Sequence, residues 1–320
     1  MFDNLCDVPG VLVGHATDPE ALTGCTTVLF EEPAVVGVDV RGSSPGTRET
    51  DRLAPHGTMR KTHAILLTGG SAFGLAAAEG VVRYLEENDI GLDIGVARIP
   101  LVSAAVLFDL VVGDPAVRPG SAMGYDASSA AGSMEFAQGS VGAGTGATVG
   151  KVLGLERAMK GGVGSASVRL EGGLVVGALA AVNAFGDIRD PKTGRVIAGP
   201  RRDDGTLGDT VVLLPEAVHR VGWGENTTLG IVATNAALTK NAANKVAQMA
   251  HDGFARAVQP VHTTVDGDVA FAASVGELEA ATDVVGAWGA RVMQEAILHG
   301  VWAAKGVPGI PSLSEYGGRG

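Results

Sequence analysis

Two periods organise the apolar positions of the chain. Short runs rich in Val, Ile, Leu and Thr, bounded by Gly, Pro and Asp, recur at Thr26 to Phe30, Val35 to Val40, Ala64 to Thr68, Ser165 to Leu170, Leu174 to Val182, Thr210 to Leu214, Leu229 to Thr234 and Val269 to Ala273, and each predicts a strand. Glu171-Gly172-Gly173 lies between two of them and supplies residues at ease with positive φ, so a tight antiparallel hairpin is expected there. Three stretches carry the helical period instead. From Ser71 to Glu87 the positions Phe73, Ala76, Ala77, Val81, Tyr84 and Leu85 fall at steps of three and four, with Ser71 placed to cap the start. Thr239 caps a second segment whose stripe is Val246, Met249, Ala250, Phe254, Ala257 and Val258, ending before Pro260. The third, from about Leu278 to Ala303, buries Ala281, Val285, Trp288, Val292 and Ala296. Strands, a helix, many strands and two further helices parted by a strand fit an α+β layered fold in which helices cover stacked sheets. Asp187 to Gly208 mixes Pro, Gly and charge without period and is expected to be a surface loop.

Composition narrows the class. The 320 residues allow one large domain or two ordinary ones, and no apolar run is long enough for a membrane helix. With 48 glycines, 8 Phe, 3 Trp and 3 Tyr, the core is expected to be built from Ala, Val and Leu with close backbone approaches. A net charge of −11, with no basic cluster larger than a pair, argues against nucleic acid. The opening MFDNLCDVPG has acids where a leader carries Arg or Lys, so a cytoplasmic location is expected. Cys6 and Cys25 match neither a zinc nor a disulfide pattern.

Familiar motifs fail on spacing. In GSVGAGTGATVGKVLG (139–154), Thr145 stands where a Walker A loop needs Gly, and Val152 replaces the magnesium-binding hydroxyl. Val149 likewise replaces the third Gly of a dinucleotide fingerprint. What is left is a glycine-rich loop for close backbone approach, ending in the lone cation Lys151. Gly70-Ser71-Ala72-Phe73-Gly74 resembles a nucleophile elbow, but its last Gly comes one position late, and a helix cap is the preferred reading of Ser71. His15, His56, His63, His219, His251, His262 and His299 show no zinc spacing. Asn226-Thr227-Thr228 stands where a loop opens a β-branched strand, and Asp266-Gly267-Asp268 stands at the start of another.

Taken together, GVLVGHATD (10–18), TGCTTVLF (23–30), DVRGSSPGTRETD (39–51), LTGGSAFGLAAAEGV (67–81), VGAGTGATVGK (141–151), AVNAFGD (181–187), NTTLGIVATNA (226–236) and AHDGFARAVQPVHTTVDGD (250–268) resemble the self-processing S58 peptidase family. That family includes the L-aminopeptidase/D-esterases, the β-peptidyl aminopeptidases and the nylon-oligomer hydrolases. The resemblance covers nearly the whole chain. It implies an N-terminal-nucleophile amidohydrolase of layered α/β/β/α architecture, a single catalytic domain cut between Asn226 and Thr227 into residues 1–226 and 227–320. Thr rather than Ser at 227, Asn before it, and the Asp266/Asp268 pair make the chain similar to the nylon-oligomer branch.

The chemistry is consistent with the resemblance. A Thr hydroxyl needs a base, and the α-amino group freed by the cut, with an ordinary pKa of about 7.7 to 8, is one. By resemblance, Lys151 lies near the nucleophile and stabilises developing negative charge, the Asn183 amide donates to the oxyanion, and Asp266 and Asp268 orient the Thr227 amine and hydroxyl. Two carboxylates at alternate positions of a strand point the same way and are expected to raise one another's pKa. Some members place a tyrosine hydroxyl in the site where this chain has Phe108. No metal or organic cofactor is implied. The implied partners are a small-molecule amide or oligopeptide substrate, with no nucleic acid and no membrane, and further copies of the chain in a homo-oligomer, often a tetramer. The expected reaction is hydrolysis of linear amides such as 6-aminohexanoate oligomers or small peptides. The alternatives are an aminopeptidase, acyl transfer of the ornithine-acetyltransferase kind, and a non-catalytic small-molecule-binding relative.

Overall fold

The computed structural model describes residues 1–217 and 226–316; His219 lies outside them. A mixed nine-stranded sheet is the frame. Its first part comprises β1 (Val11–Asp18), β2 (Thr23–Val40), β3 (Thr47–Arg48), β4 (Lys61–Thr68) and, past the small pair β5 (Leu92–Asp93) and β6 (Arg98–Ile99), β7 (Val102–Val106). A second small pair, β8 (Thr148–Val149) with β9 (Met159–Lys160), precedes β10 (Gly162–Arg169) and β11 (Val175–Asn183). Three short strands, β12 (Asp187–Arg189), β13 (Val196–Ala198) and β15 (Val258–Gln259), form their own sheet, while β14 (Thr227–Ala236) and β16 (Val269–Leu278) complete the large one. The helices are α1 (Ala78–Glu87), α2 (Ser121–Ser129), α3 (Thr210–Ala217), α4 (Lys240–Ala257), α5 (Thr282–Trp302) and α6 (Leu313–Tyr316).

The large sheet folds over on itself because β2 serves both halves. Its Thr23–Leu29 portion pairs with β1 and β4, its Val35–Val40 portion pairs with β16, and the register breaks between Leu29 and Ala34, around Pro33, which has no N–H to give a ladder. Strand alternation then sorts side chains into layers. Leu179 and Ala181 of β11, Leu229, Ile231 and Ala233 of β14, and Val269 and Phe271 of β16 face Val11, Val13, Val28, Phe30, Ile65 and Leu67 between the two half-sheets. The opposite faces carry Val182, Val232 and Ala272 against Val246, Ala250 and Phe254 of α4 and Val292, Met293 and Ala296 of α5. On the far side, Leu29, Leu66 and Ala104 meet Val81 and Leu85 of α1 and Ala127 of α2. The result is the layered α/β/β/α fold. Small residues make the layers close: a Cβ on Gly37 of β2 would lie 2.2 Å from the backbone N of Asn244 in α4.

The Glu171–Gly173 turn joins antiparallel β10 and β11, with Gly172 and Gly173 at φ 80° and 85°. Thr239 caps α4, its hydroxyl accepting from Ala242 N at 3.2 Å. Four expectations are corrected. Thr210–Leu214 is helical, as the start of α3: Asp209 Oδ1 accepts from Val211 N at 2.9 Å, and Leu213, Leu214 and Ala217 turn one face onto Phe185 and Val265, so the cap and the i, i+3, i+4 contacts override the β-branched composition. Residues 187–208 are not a featureless loop but hold β12 and β13, with Asp187 fully buried. Ser71 does not cap a helix; Gly70 takes the cap position, Ser71 itself sits at φ 53°, and a 3₁₀ turn, Ser71–Ala77, leads into α1. Asp266 and Asp268 precede β16 rather than alternating along it. Helix α2, polar and Gly-containing, carried too weak a period to be read. Among the described residues no helix is long and apolar enough to cross a membrane.

Candidate active site

The site forms at one end of β14. This strand is central, antiparallel to β11 on one side and parallel to β16 on the other, and the ladder sets Asn183 directly opposite Thr227. One residue earlier, Asn226 bridges Asp266. Thr227 is therefore paired with Asn183 on one flank, its neighbour Asn226 is bridged to Asp266 on the other, and it is only 3% exposed.

The peptide between Asn226 and Thr227 has a distinctive environment. The Asn226 carbonyl oxygen accepts the Gly267 N–H at 2.8 Å and the Thr227 hydroxyl. Ser44 N donates to Asp266 O at 2.9 Å, and Arg41 N and Gly42 N donate to Asp268 O at 3.0 and 3.2 Å, so the chain beyond β2 lies tight against residues 266–268. Gly267 is required there: a Cβ would stand 2.6 Å from Ser44 O and 2.7 Å from Thr227 Oγ1.

On the β11 side, Lys151 Nζ donates to the Asn183 carbonyl at 3.0 Å and to its Oδ1 at 2.9 Å, and Thr148 N donates to the same Oδ1 at 3.0 Å. The Asn183 amide donates to Phe108 O at 2.9 Å. The glycine-rich loop thus delivers Lys151 by backbone register, with Lys151 N bonded to Phe185 O at 3.1 Å.

Both carboxylates are buried and well supplied with donors. Asp266 accepts Phe185 N at 3.2 Å, Thr263 N at 3.0 Å and the Thr263 hydroxyl at 2.5 Å. Burial first, and then the charge of Asp268, push the Asp266 pKa up to about 6. Asp268 accepts Thr228 N at 2.6 Å through one oxygen, and His262 N at 3.1 Å and His262 Nδ1 at 2.7 Å through the other. Neither carboxylate is bonded to the Thr227 side chain; they grip the peptides around it.

All six residues singled out from the sequence, Lys151, Asn183, Asn226, Thr227, Asp266 and Asp268, are brought together. His262, Thr263 and the Gly267 amide were missed. His262 was read only for zinc spacing, although its place six residues before Asp268 was visible, and a backbone donor leaves no side-chain signal. Thr227 opens onto a small pocket of about 110 Å³ whose walls include Pro45, Ser71, Ala72, Val106 and Phe108. Behind it, Asp109 accepts Thr23 Oγ1 and Gly70 N, both at 2.7 Å, and burial raises its pKa. Lys160, wholly buried, donates to Thr145 O at 2.7 Å and Ala147 O at 2.8 Å, and burial lowers its pKa to about 7. Among the described residues no group of three His, Cys, Asp or Glu side chains is placed to hold a metal ion.

The sequence profile of Peptidase family S58 matches residues 3–313. An uncharacterized aminopeptidase of Mycobacterium tuberculosis is 40% identical, the match covering 98% of each chain. A 6-aminohexanoate-oligomer endohydrolase of Agromyces is 33% identical over 91% of this chain and 84% of its own. Among solved structures, the L-aminopeptidase D-Ala-esterase/amidase of Ochrobactrum anthropi, described as a variant of the Ntn hydrolase fold, superposes with a TM-score of 0.72 at 20% identity, covering 97% of this chain and 89% of that one.

Proposed function

The chain belongs to peptidase family S58 and is a hydrolase of amide bonds, and we propose that it matures by cutting itself between Asn226 and Thr227 and then hydrolyses linear amides with Thr227 as N-terminal nucleophile. The observation that carries this reading is the Asn226 carbonyl, which accepts both the Gly267 N–H and the Thr227 hydroxyl. A backbone donor already aimed at that oxygen stabilises the charge that develops there when the carbonyl is attacked.

In the first stage Thr227 Oγ bonds to the Asn226 carbonyl carbon, the bond from that carbon to the Thr227 nitrogen breaks, and the hydroxyl proton ends on that nitrogen. Water then hydrolyses the ester, leaving an Asn226 carboxylate and a Thr227 with free hydroxyl and free amine. In the second stage the amine takes the Oγ proton, Oγ attacks the substrate carbonyl, the proton passes to the leaving amine, and water resolves the acyl ester. The Gly267 N–H, relieved of Asn226, serves the substrate oxyanion. Lys151, through the Asn183 carbonyl and Oδ1, keeps a positive charge beside the strand that faces Thr227.

The pocket supports an aliphatic acyl group. It is small, about 110 Å³, and sets Pro45, Ala72, Val106 and Phe108 beside the hydroxyls of Ser44 and Ser71, a lining that suits a narrow linear chain carrying polar amide groups. Linear ω-amino-acid oligomers or small peptides are the proposed substrates. A homo-oligomeric enzyme is part of the proposal, supported by Ile94 and Val96, 50% and 90% exposed on one hairpin.

The test is the intact mass of purified protein under denaturing conditions beside a Thr227→Ala variant. Wild type is expected as two fragments, the smaller beginning at Thr227, and the variant as one chain. A wild type that stays whole after long incubation refutes the proposal.

A further inference from the structure

Asp268 is 1% exposed, and its two oxygens have different tasks. One accepts the N–H of Thr228, the residue after the nucleophile, at 2.6 Å. The other is held entirely by His262, through its backbone N–H at 3.1 Å and its Nδ1 at 2.7 Å. His262 sits at φ 55°, the left-handed region that costs a non-glycine residue about 1 kcal/mol or more. The ring is fixed on its other sides as well. It meets the His251 ring edge-on, centroids 4.6 Å apart, and the Phe254 ring at 5.9 Å, and its Nε2 is buried without a hydrogen-bond partner among the described residues. Beyond it, His251 Nε2 contacts Asp39 O at 3.1 Å. An Nδ1 so close to a carboxylate carries the proton, which makes the imidazole a donor aimed at Asp268.

We propose that His262 is the positioning residue of the site: its imidazole and its own N–H clamp one oxygen of Asp268, so that the other fixes the Thr228 N–H and with it the orientation of Thr227. The inference rests on Thr227 being the nucleophile. Both donors of His262, its backbone N–H and its ring, converge on that one oxygen while the residue holds a left-handed backbone.

The test follows self-cleavage of freshly synthesised chain by denaturing electrophoresis, for wild type, His262→Gly, His262→Asn and His262→Asp. Gly, Asn and Asp all tolerate the left-handed backbone, so the variants differ in what they offer Asp268: nothing, a neutral N–H donor, or a second carboxylate. The Gly variant is expected to cut at least about tenfold more slowly, the scale of one charged hydrogen bond, the Asn variant to recover most of the rate, and the Asp variant to be at least as slow as Gly. Melting temperature and circular dichroism establish that each variant is folded, and if the Gly variant is not, the Asn and Asp pair makes the same comparison. A folded Gly variant cutting at the wild-type rate, or a folded Asn variant no faster than Gly or Asp, overturns the proposal. Wild type that never cuts overturns the Thr227 reading, and this one with it.

Discussion

Gly267→Ala is the sharpest probe of the self-cleavage geometry, because the added methyl meets two atoms that cannot both yield. Its Cβ would stand 2.6 Å from Ser44 O and 2.7 Å from Thr227 Oγ1, roughly 0.7 to 0.8 Å inside ordinary contact. Ser44 is not free to withdraw, since its N–H is bonded to Asp266 O at 2.9 Å and Arg41 and Gly42 are bonded to Asp268 O. Relief therefore comes from turning the Thr227 hydroxyl off the Asn226 carbonyl or from drawing the 267 N–H away from it. Loss of one oxyanion donor slows acyl chemistry by about 10² to 10³, while overpacking of this kind costs about 1–3 kcal/mol of stability. The assay is the half-time of fragment appearance in freshly made protein, alongside a melting curve. Gly120→Ala is the control: Gly120 lies at φ −124° with nothing within 4 Å of the added Cβ, and it is expected to cut at the wild-type rate. A Gly267→Ala chain that melts like wild type and cuts as fast would refute the argument that this carbonyl is primed by the Gly267 amide.

Two further predictions concern stability. Lys160 has its pKa lowered to about 7 from 10.5 by burial, so between those values the unfolded chain binds the extra proton and stability rises with pH; Lys160→Met should flatten that slope in melting temperatures measured from pH 7 to 10. Thr239→Ala removes the acceptor for Ala242 N at the start of α4 and should lower stability by about 1 kcal/mol, read from denaturant midpoints, with self-cleavage unchanged.

Strong periods were legible and weak ones were not. The stripe on α4 and the strands from Ser165 to Val182 could be placed because their apolar spacing matches one face of a helix or one side of a sheet. Thr210–Leu214 misled because β-branched composition is a weaker determinant than a capping Asp209 and a local face to bury. Asp266 and Asp268 were found as a pair, but their contacts were not, because a carboxylate's partners come from whatever backbone N–H groups the fold brings to it. Here these are Phe185, Thr263, Thr228 and His262.

Residue types and local order were enough to expect the layered class, and the resemblance to peptidase family S58 carried by motifs along the chain was enough to expect an amide hydrolase and to nominate Thr227, Lys151, Asn183, Asp266 and Asp268 as its proposed site. Tertiary structure alone decided the register that sets Asn183 opposite Thr227, the approach that leaves no room for a Cβ at Gly267, and the clamp of His262 on Asp268. Those features join segments from distant parts of the sequence, and their distances are fixed by strand pairing and backbone hydrogen bonds that every residue type shares.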